Sequence, residues 1–432
     1  MPATVVVGLQ FGDEGKGKII DYLAERADVV VRFQGGANAG HTVQVGEELY
    51  KFHLLPSGVL RKRTLNVIGN GVVVDPAQIL AELEDLRRRG HDAPNLRISD
   101  RAHVVMPYHK ILDGLEEKAK GGLSAGTTLR GIGPCFEDKV GRFGIRIADL
   151  VDRDVLRTKL DTIVPIKQKI IAALGGSDVL DADAIFAEYA ADGERLAPYV
   201  ADTSALLQQQ LERRKRILFE GAQGTHLCID HGIYPYGTSS DCVAGAASVG
   251  AGIGPTYLDG VIGVSKAFTS RVGTGPFPTE LQGDIAEHLR EKGGGEYGTT
   301  TQRPRRVGWL DLVMLRMAVR VNGLTGLAVT KLDVLGGLDR VKVAVGYEHR
   351  GKPVKEFPAS MRVLSECAPT YKEFRGWPEM PEDAWARLAR KGRRALPLPM
   401  KRYLAFLVDQ LRVPVRIVSV GRSRAATVGV VG

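Results

Sequence analysis

Gly12, Gly17 and Lys18 are spaced as Gly-x4-Gly-Lys, a spacing that suits phosphate binding. In such a loop the backbone N–H groups point inward and cradle phosphate oxygens, helped by the positive end of the following helix. The lysine adds a point charge. Position 19 is Ile, where the usual pattern has a Ser or Thr to hold Mg2+. A metal bridging the phosphates would then need another oxygen. Asp13, inside the loop, is the obvious supplier, because Mg2+ favours carboxylate, phosphate and water oxygens. A carboxylate placed there would otherwise repel phosphate. Asp13 is therefore expected to bind metal, to accept a proton from substrate, or both. A second loop, Gly35-Gly36-Ala37-Asn38-Ala39-Gly40-His41-Thr42, carries a histidine among small residues. Histidine can protonate a leaving group near neutral pH. Paired with Asp13, it allows a division of labour between base and acid.

The elements that must position these residues are legible around them. Thr4 to Gly8 is β-branched and apolar, as a buried parallel strand should be. The glycine-rich loop follows it, then Ile19 to Arg26 in helical spacing, then a second strand over Val29 to Phe33 ended by Gln34-Gly35-Gly36. Strand, loop, helix and strand in that order open a doubly wound sheet. Asp75-Pro76 starts a helix, which runs to Arg89 and stops at Gly90. Residues 150–214 read as mostly helical, broken at Pro165 and at Gly175-Gly176. Further strands are expected over Arg216 to Phe219, Leu258 to Val264, Gly326 to Val329 and Val413 to Val420. They run into glycine-rich or polar loops, among them Glu220 to Gly224, Thr330-Lys331-Leu332-Asp333 and Gly421. Open α/β sheets bind ligands beyond the carboxyl ends of their strands. The expected fold is thus α/β, a large and mostly parallel central sheet flanked by helices. It is P-loop NTPase-like, with a mostly helical insertion over about 150–214. No internal repeat or long linker divides residues 1–432, so one catalytic domain is expected.

Composition narrows the function. A formal net charge of +9 suits anionic partners such as nucleotides, phosphorylated metabolites or dicarboxylates. Nucleic acid is not expected as a partner, because no recognition motif is present and the aromatics, 6% of the chain, are not interleaved with basic clusters. Cys135, Cys228, Cys242 and Cys367 form no CxxC pair, which argues against a zinc site and a disulfide framework and for reduced thiols in a cytoplasmic protein. The chain opens Met-Pro-Ala-Thr-Val-Val-Val-Gly, without a signal-like pattern, and no apolar run approaches the roughly 18 residues of a membrane span, so no membrane association is expected.

Longer motifs now bear on the function. Gln10-Phe11-Gly12-Asp13-Glu14-Gly15-Lys16-Gly17-Lys18 resembles the signature of the adenylosuccinate synthetase family, with Phe11 where tryptophan is usual. Gly131 to Arg142 (Gly-Ile-Gly-Pro-Cys-Phe-Glu-Asp-Lys-Val-Gly-Arg) resembles a second signature. Phe219 to Thr225, Tyr234-Pro235-Tyr236 with Thr238-Ser239-Ser240, Gly308-Trp309-Leu310-Asp311 and Thr330 to Asp333 follow in order. The resemblance spans essentially the whole chain. It implies GTP-dependent ligation of IMP and L-aspartate to adenylosuccinate, GDP and phosphate via 6-phosphoryl-IMP, the first committed step from IMP to AMP, in a cytoplasmic homodimer with one Mg2+ per subunit.

By the same resemblance Asp13 draws the N1 proton from IMP and His41 assists phosphoryl transfer as an acid. Lys16 joins the catalytic set, and Gln223 steadies the purine 6-oxygen as charge develops. The metal oxygens come from Asp13 and the Gly40 carbonyl. The IMP contacts would be Asp13, Glu14, Gly15, Lys16, Asn38, Ala39, Gly40, His41, Gln223 and Arg303, with Thr128 and Thr238 on the 5′-phosphate and Arg142 reaching across the dimer interface. GTP would meet Gly12 to Lys18, Gly40, His41, Thr42, Arg305, Leu332, Ser419, Val420 and Gly421, with Lys331 and Asp333 reading guanine. A carboxylate can accept from guanine N1–H and the 2-amino group, which adenine cannot offer together. L-Aspartate would meet Thr299, Thr300, Thr301, Gln302, Arg303, Pro304 and Arg305; an arginine fork suits its carboxylate. Gln302 stands where relatives often have glycine, Pro304 where a basic residue is common, and Leu129 where glycine is frequent. The competing reading is a regulatory P-loop GTPase. Such a switch has no need of Asp13 with His41, of a second substrate loop or of Gln223, and it usually keeps the metal-binding Ser or Thr.

Overall fold

Val5, Val6 and Val7 are each fully buried, and the strand that contains them is an interior strand of the central sheet. The computed structural model describes residues 3–45, 48–292, 295–297 and 304–429. Ten strands build the sheet: β1 (Ala3–Gly8), β2 (Val29–Arg32), β3 (Leu65–Ile68), β4 (Leu96–Ser99), β5 (Val200–Ala201), β6 (Ile217–Glu220), β7 (Gly260–Lys266), β8 (Gly326–Thr330), β9 (Val415–Ser419) and β10 (Thr427–Gly429). Their spatial order is β10-β9-β8-β7-β1-β6-β2-β3-β4-β5, and every neighbouring pair is parallel except β9 with β10. The chain leaves β1 for β2 on one side and later fills β7 to β10 on the other. The carboxyl end of β1 therefore lies where the winding direction reverses, the place at which such sheets bind ligands.

The first helix, α1 (Lys16–Ala24), begins directly after the glycine loop, with Gly15 in the left-handed region as its cap. Ile19 and Ile20 are fully buried and pack with Val6, Val30 and Val264 against one face of the sheet. The helix expected at Asp75-Pro76 is α2 (Pro76–Arg88); Asp75 accepts from the Gln78 N–H at 3.5 Å. Next come α3 (Pro107–Ala119), α4 (Ile132–Gly141), α5 (Arg153–Ala173), α6 (Ala182–Leu196) and α7 (Thr203–Glu212). The segment 150–214 is mostly helical, as its sequence suggests, although the short strand β5 joins the sheet edge.

One expectation fails. Pro165 does not break a helix, because α5 runs through it from Arg153 to Ala173. Proline removes one helical N–H, leaving the Asp161 carbonyl without its helical partner. Pro165 and Asp161 are both exposed, so water can take over that carbonyl, while Leu156, Leu160, Ile163, Val164 and Ile171 bury the opposite face. The second expected break is real: α5 ends before Gly175, whose φ is +79°.

Candidate functional site

A cavity of about 790 Å³ opens beyond the carboxyl ends of β1, β2, β6, β8 and β9. The glycine loop forms one wall. Gly12 and Asp13 have φ of +84° and +58°, so two consecutive residues take the left-handed backbone. That conformation is uncommon for a non-glycine residue and turns the Asp13 side chain out into the cavity, where it is 37% exposed. Glu14 turns the other way. Its carboxylate is fully buried and accepts from the backbone N–H of Gln10 (3.0 Å) and of Gly12 (2.9 Å), and it pairs with Lys16 at 2.6 Å. A Cβ on Gly8 would meet the Glu14 carboxylate at 2.4 Å, so this brace requires glycine there. Glu14 is therefore an internal prop of the loop, and only its backbone is placed to meet a ligand.

Asp13 pairs with Arg305 at 2.8 Å. Arg305 is 7% exposed and divides its guanidinium, giving its other arm to Glu296 at 2.7 Å. Glu296 is fully buried and also receives Lys266 at 2.6 Å, with Lys331 at 3.6 Å. Burial works against the Glu296 charge, yet Lys266, Lys331 and Arg305 outweigh it and hold the carboxyl at about 2. Burial lowers Lys266 to about 8 despite Glu296.

His41 begins a hairpin of His41–Val45 with Glu48–Phe52, and its ring lines the cavity. Its Nδ1 lies 3.9 Å from Glu220 and its Nε2 has no partner. Burial, reinforced by Arg32, lowers its pKa below the ordinary value of 6.5 in spite of Glu220. His41 is thus neutral at neutral pH. Gln223, with φ +53°, donates to the Asn38 side chain at 3.2 Å, and Asn38 donates to Thr238 at 3.3 Å. This chain of side chains runs along the cavity wall. Thr128 also lines the cavity, on a loop pinned by α3: Asp113 accepts from Gly131 N–H (2.9 Å) and Thr127 Oγ1 (2.7 Å), and Glu117 accepts from Thr127 N–H (3.2 Å). Leu129, at φ +57°, occupies a left-handed position, which explains why glycine suits it.

Lys331 and Asp333 also line the cavity: Lys331 takes φ +60° just past β8, and Asp333 is mostly buried. Burial raises the Asp333 pKa against the pull of Lys331, and its Oδ1 has no hydrogen-bond partner. Lys18 donates to Ser419 Oγ (2.7 Å) and the Gly421 carbonyl (2.8 Å), tying α1 to the end of β9; burial lowers it to about 8. The side chains of Leu332 and Val420 are fully buried in the core, leaving only their backbone near the cavity. Thr42 lies in the hairpin beside His41. Pro304 bridges to Tyr297, directly before Arg305. Thr299, Thr300, Thr301, Gln302 and Arg303 lie outside the described residues. Arg142 is exposed at the end of α4, between Val140 and Phe143, and does not line this cavity.

Sequence reading missed Glu296, whose only local signal is the glycine run before it, and Arg32, which is buried with an arm on the Gly36 carbonyl at 2.8 Å. It also missed the buried contact of His109 with Asp138 (2.9 Å), joined by Lys167, which locks the second signature between α3, α4 and α5. Among the described residues no cluster of three or more His, Cys, Asp or Glu could hold a metal. The Asp13 carboxylate and the Gly40 carbonyl share the cavity, however. That pair fits an ion such as Mg2+, which completes its shell with phosphate and water oxygens.

The sequence model of the adenylosuccinate synthetase family matches residues 5–428. The chain is 54% identical over 430 residues to the adenylosuccinate synthetase of Caldanaerobacter subterraneus subsp. tengcongensis, and 53% identical over 428 residues to that of Carboxydothermus hydrogenoformans; each alignment covers 99% of both proteins. Its fold is similar to that of a fully ligated adenylosuccinate synthetase from Plasmodium falciparum, with TM-score 0.92 and 36% identity, over 99% of this chain and 100% of that one.

Proposed function

The chain belongs to the adenylosuccinate synthetase family and catalyses the GTP-dependent ligation of IMP and L-aspartate, and we propose that the cavity at the end of β1 performs it with Asp13 as the base. In this reading Asp13 accepts the N1 proton of IMP, and the purine 6-oxygen attacks the γ-phosphate of GTP, breaking its bond to the β–γ bridging oxygen and releasing GDP. The 6-phosphoryl-IMP so formed carries a leaving group that an amide-like oxygen lacks. The amino group of L-aspartate then displaces phosphate. His41 enters neutral, and an arriving anionic phosphate favours its protonated form, which makes its acidity dependent on substrate. Gln223 keeps an amide N–H for the 6-oxygen while Asn38 fixes its orientation. Thr128 and Thr238 take the IMP phosphate, and Lys331 with Asp333 reads guanine. Asp13 and the Gly40 carbonyl would hold Mg2+, which when bound neutralises charge on the transferring phosphate. The protein's own contribution is mainly positioning.

The observation that carries this reading is the Asp13 carboxylate itself, turned by a left-handed backbone into the cavity that His41 and Gln223 also line. A regulatory GTPase is disfavoured by the family and has no use for that trio. Thr299 to Arg305, with Arg303 as the carboxylate partner, are assigned to L-aspartate on the family resemblance. We further assign a single catalytic domain, whose sheet draws strands from residue 3 to residue 429. A homodimer is supported by Val140, 81% exposed, and Phe143, 43% exposed, on either side of Arg142. The four buried free cysteines suit the cytoplasm, and no helix among the described residues is long and apolar enough to cross a membrane. The decisive assay combines GTP, IMP and L-aspartate with Mg2+ and follows the ultraviolet change of the purine. Product is expected only with all three substrates. GTP hydrolysis indifferent to IMP and L-aspartate overturns the assignment.

A further inference from the structure

Glu296 poses a question that stability does not answer. A fully buried carboxylate facing Lys266, Arg305 and Lys331 is costly to desolvate, and such clusters are often no better for stability than apolar packing. The contacts around it are nevertheless directional. Its backbone carbonyl accepts from the Arg305 N–H at 2.8 Å, and its side chain accepts from the Arg305 guanidinium at 2.7 Å, so it grips that residue twice. Its own N–H is given to the Arg290 carbonyl at 2.6 Å, and Ser270 Oγ donates to its carboxylate at 3.0 Å. Lys266, itself 1% exposed at the end of β7, anchors the carboxylate to the sheet. The far arm of Arg305 then reaches Asp13 at 2.8 Å. An unbroken line of contacts thus runs from the sheet to the carboxylate in the cavity.

We propose that Glu296 is a positioning residue for the ligation: by holding one arm of Arg305 it sets the other on Asp13 and so fixes the proton-accepting carboxylate before substrate arrives. The inference rests on the assignment of Asp13 as the base. The planar guanidinium is what makes the device work, because two carboxylates can be held at a fixed separation by one rigid fork. Charge balance supports it as well. With Glu296 present, Arg305 is shared between two anions, and Asp13 is not bound so tightly that it cannot turn to substrate. Without Glu296, Lys266, Lys331 and Arg305 would face Asp13 as the one remaining anion of this group.

The test is a double-mutant comparison of Glu296→Gln, Arg305→Lys and the pair, with kcat and KM for IMP measured alongside thermal unfolding. Lysine keeps the charge at 305 but has no planar fork to hold the two carboxylates at a fixed separation. Misplacing a reacting group by about 1 Å costs up to roughly a hundredfold, so Glu296→Gln is expected to lower kcat by about tenfold to a hundredfold, with KM for IMP changed by less than about threefold. In the Arg305→Lys background the same change should cost less than about threefold more, because the fork it aims is already gone. A residue that only stabilised the fold would give losses that multiply in the two backgrounds. Multiplying losses, or Glu296→Gln with parental kcat, overturns the proposal. Glu296→Asp keeps the anion beside Lys266 and carries the same comparison if Glu296→Gln does not fold. Asp13→Asn separates the two readings: if it stays active, the base assignment fails; if it is inactive while the Glu296 variants keep parental kcat, only the positioning role fails.

Discussion

Replacing Asp333 by Asn should weaken GTP binding and stabilise the free protein at the same time. The Asp333 carboxylate is mostly buried, its Oδ1 has no partner, and burial raises its pKa. Guanine N1–H and its 2-amino group would supply two hydrogen bonds to a charged acceptor, each about 1.5–3 kcal/mol. Asparagine keeps one acceptor and turns a donor towards a donor. The loss should be about 3 kcal/mol, or roughly a hundredfold in KM for GTP, with kcat little changed. Inosine triphosphate, which lacks the 2-amino group, provides the internal control. The parent should favour GTP over it by about tenfold to a hundredfold, and the variant by only a few-fold. The stability effect has a defined sign. A raised folded pKa means the native state binds more protons than the unfolded state, so the charge costs nothing well below the ordinary 3.8 and its full amount above the raised value. The melting temperature of the unliganded variant should therefore exceed the parent's at neutral pH, by a margin that shrinks as pH falls towards 3.8. A KM for GTP within about threefold of the parent's, or an unchanged preference over inosine triphosphate, refutes the assignment of Asp333 to guanine.

Asp13→Asn should lower kcat by about a hundredfold to ten-thousandfold, the usual worth of a general base, and leave the melting curve close to the parent's because the side chain is 37% exposed. Turnover within about tenfold of the parent's removes Asp13 from that role. His41→Asn tests the depressed histidine: its stabilising contribution is complete above the ordinary 6.5 and is lost as pH falls from there towards the lowered native value. Between about pH 7.5 and 5.5 the parent should thus lose more melting temperature than the variant, and equal losses would contradict the burial of a neutral ring. For the interface, Arg142→Leu protein mixed with inactive Asp13→Asn protein should recover activity through hybrid dimers. Failure to recover any, with dimers present by light scattering, places Arg142 outside the partner's site.

The parts of this molecule legible in the sequence are those whose physics is local. A run such as Val5-Val6-Val7 can be little but a buried strand, and a glycine loop straight after it can be little but a tight turn facing a helix. Side-chain direction was harder. Glu14 sits between Asp13 and Gly15 in one motif and reads as a ligand contact, yet the left-handed backbone before it sends its carboxylate inward to Gln10 and Gly12. Pro165 shows the same gap at a helix, since its cost depends on whether the orphaned carbonyl meets water, which only packing decides. Strand limits moved by a residue or two, as where the strand read as Leu258 to Val264 is Gly260–Lys266. Glu296 was out of reach because Lys266, Arg305 and Lys331 come together only when β7 and β8 lie side by side.

The isoleucine at position 19 bears on the role proposed for Asp13. Ile19 is fully buried among Val6, Val30 and Val264, so a hydroxyl there would enter an apolar cluster instead of facing phosphate. Lys18, which the loop pattern would aim at phosphate, is committed to Ser419 and Gly421. The loop thus lacks the usual metal oxygen, and it holds Asp13, a carboxylate, where the proposed function brings the triphosphate of GTP. Two like charges about 4 Å apart near a protein surface repel by about 4 kcal/mol, enough to exclude the nucleotide if nothing opposed it. Arg305, 2.8 Å from Asp13, opposes it. The same arginine hands its second arm to Glu296, which keeps the pairing from consuming the whole guanidinium. Arg305, buried and shared, thus offsets a carboxylate in the loop before any metal is bound there, and that pairing links the missing hydroxyl to Arg305 and Glu296 far along the chain.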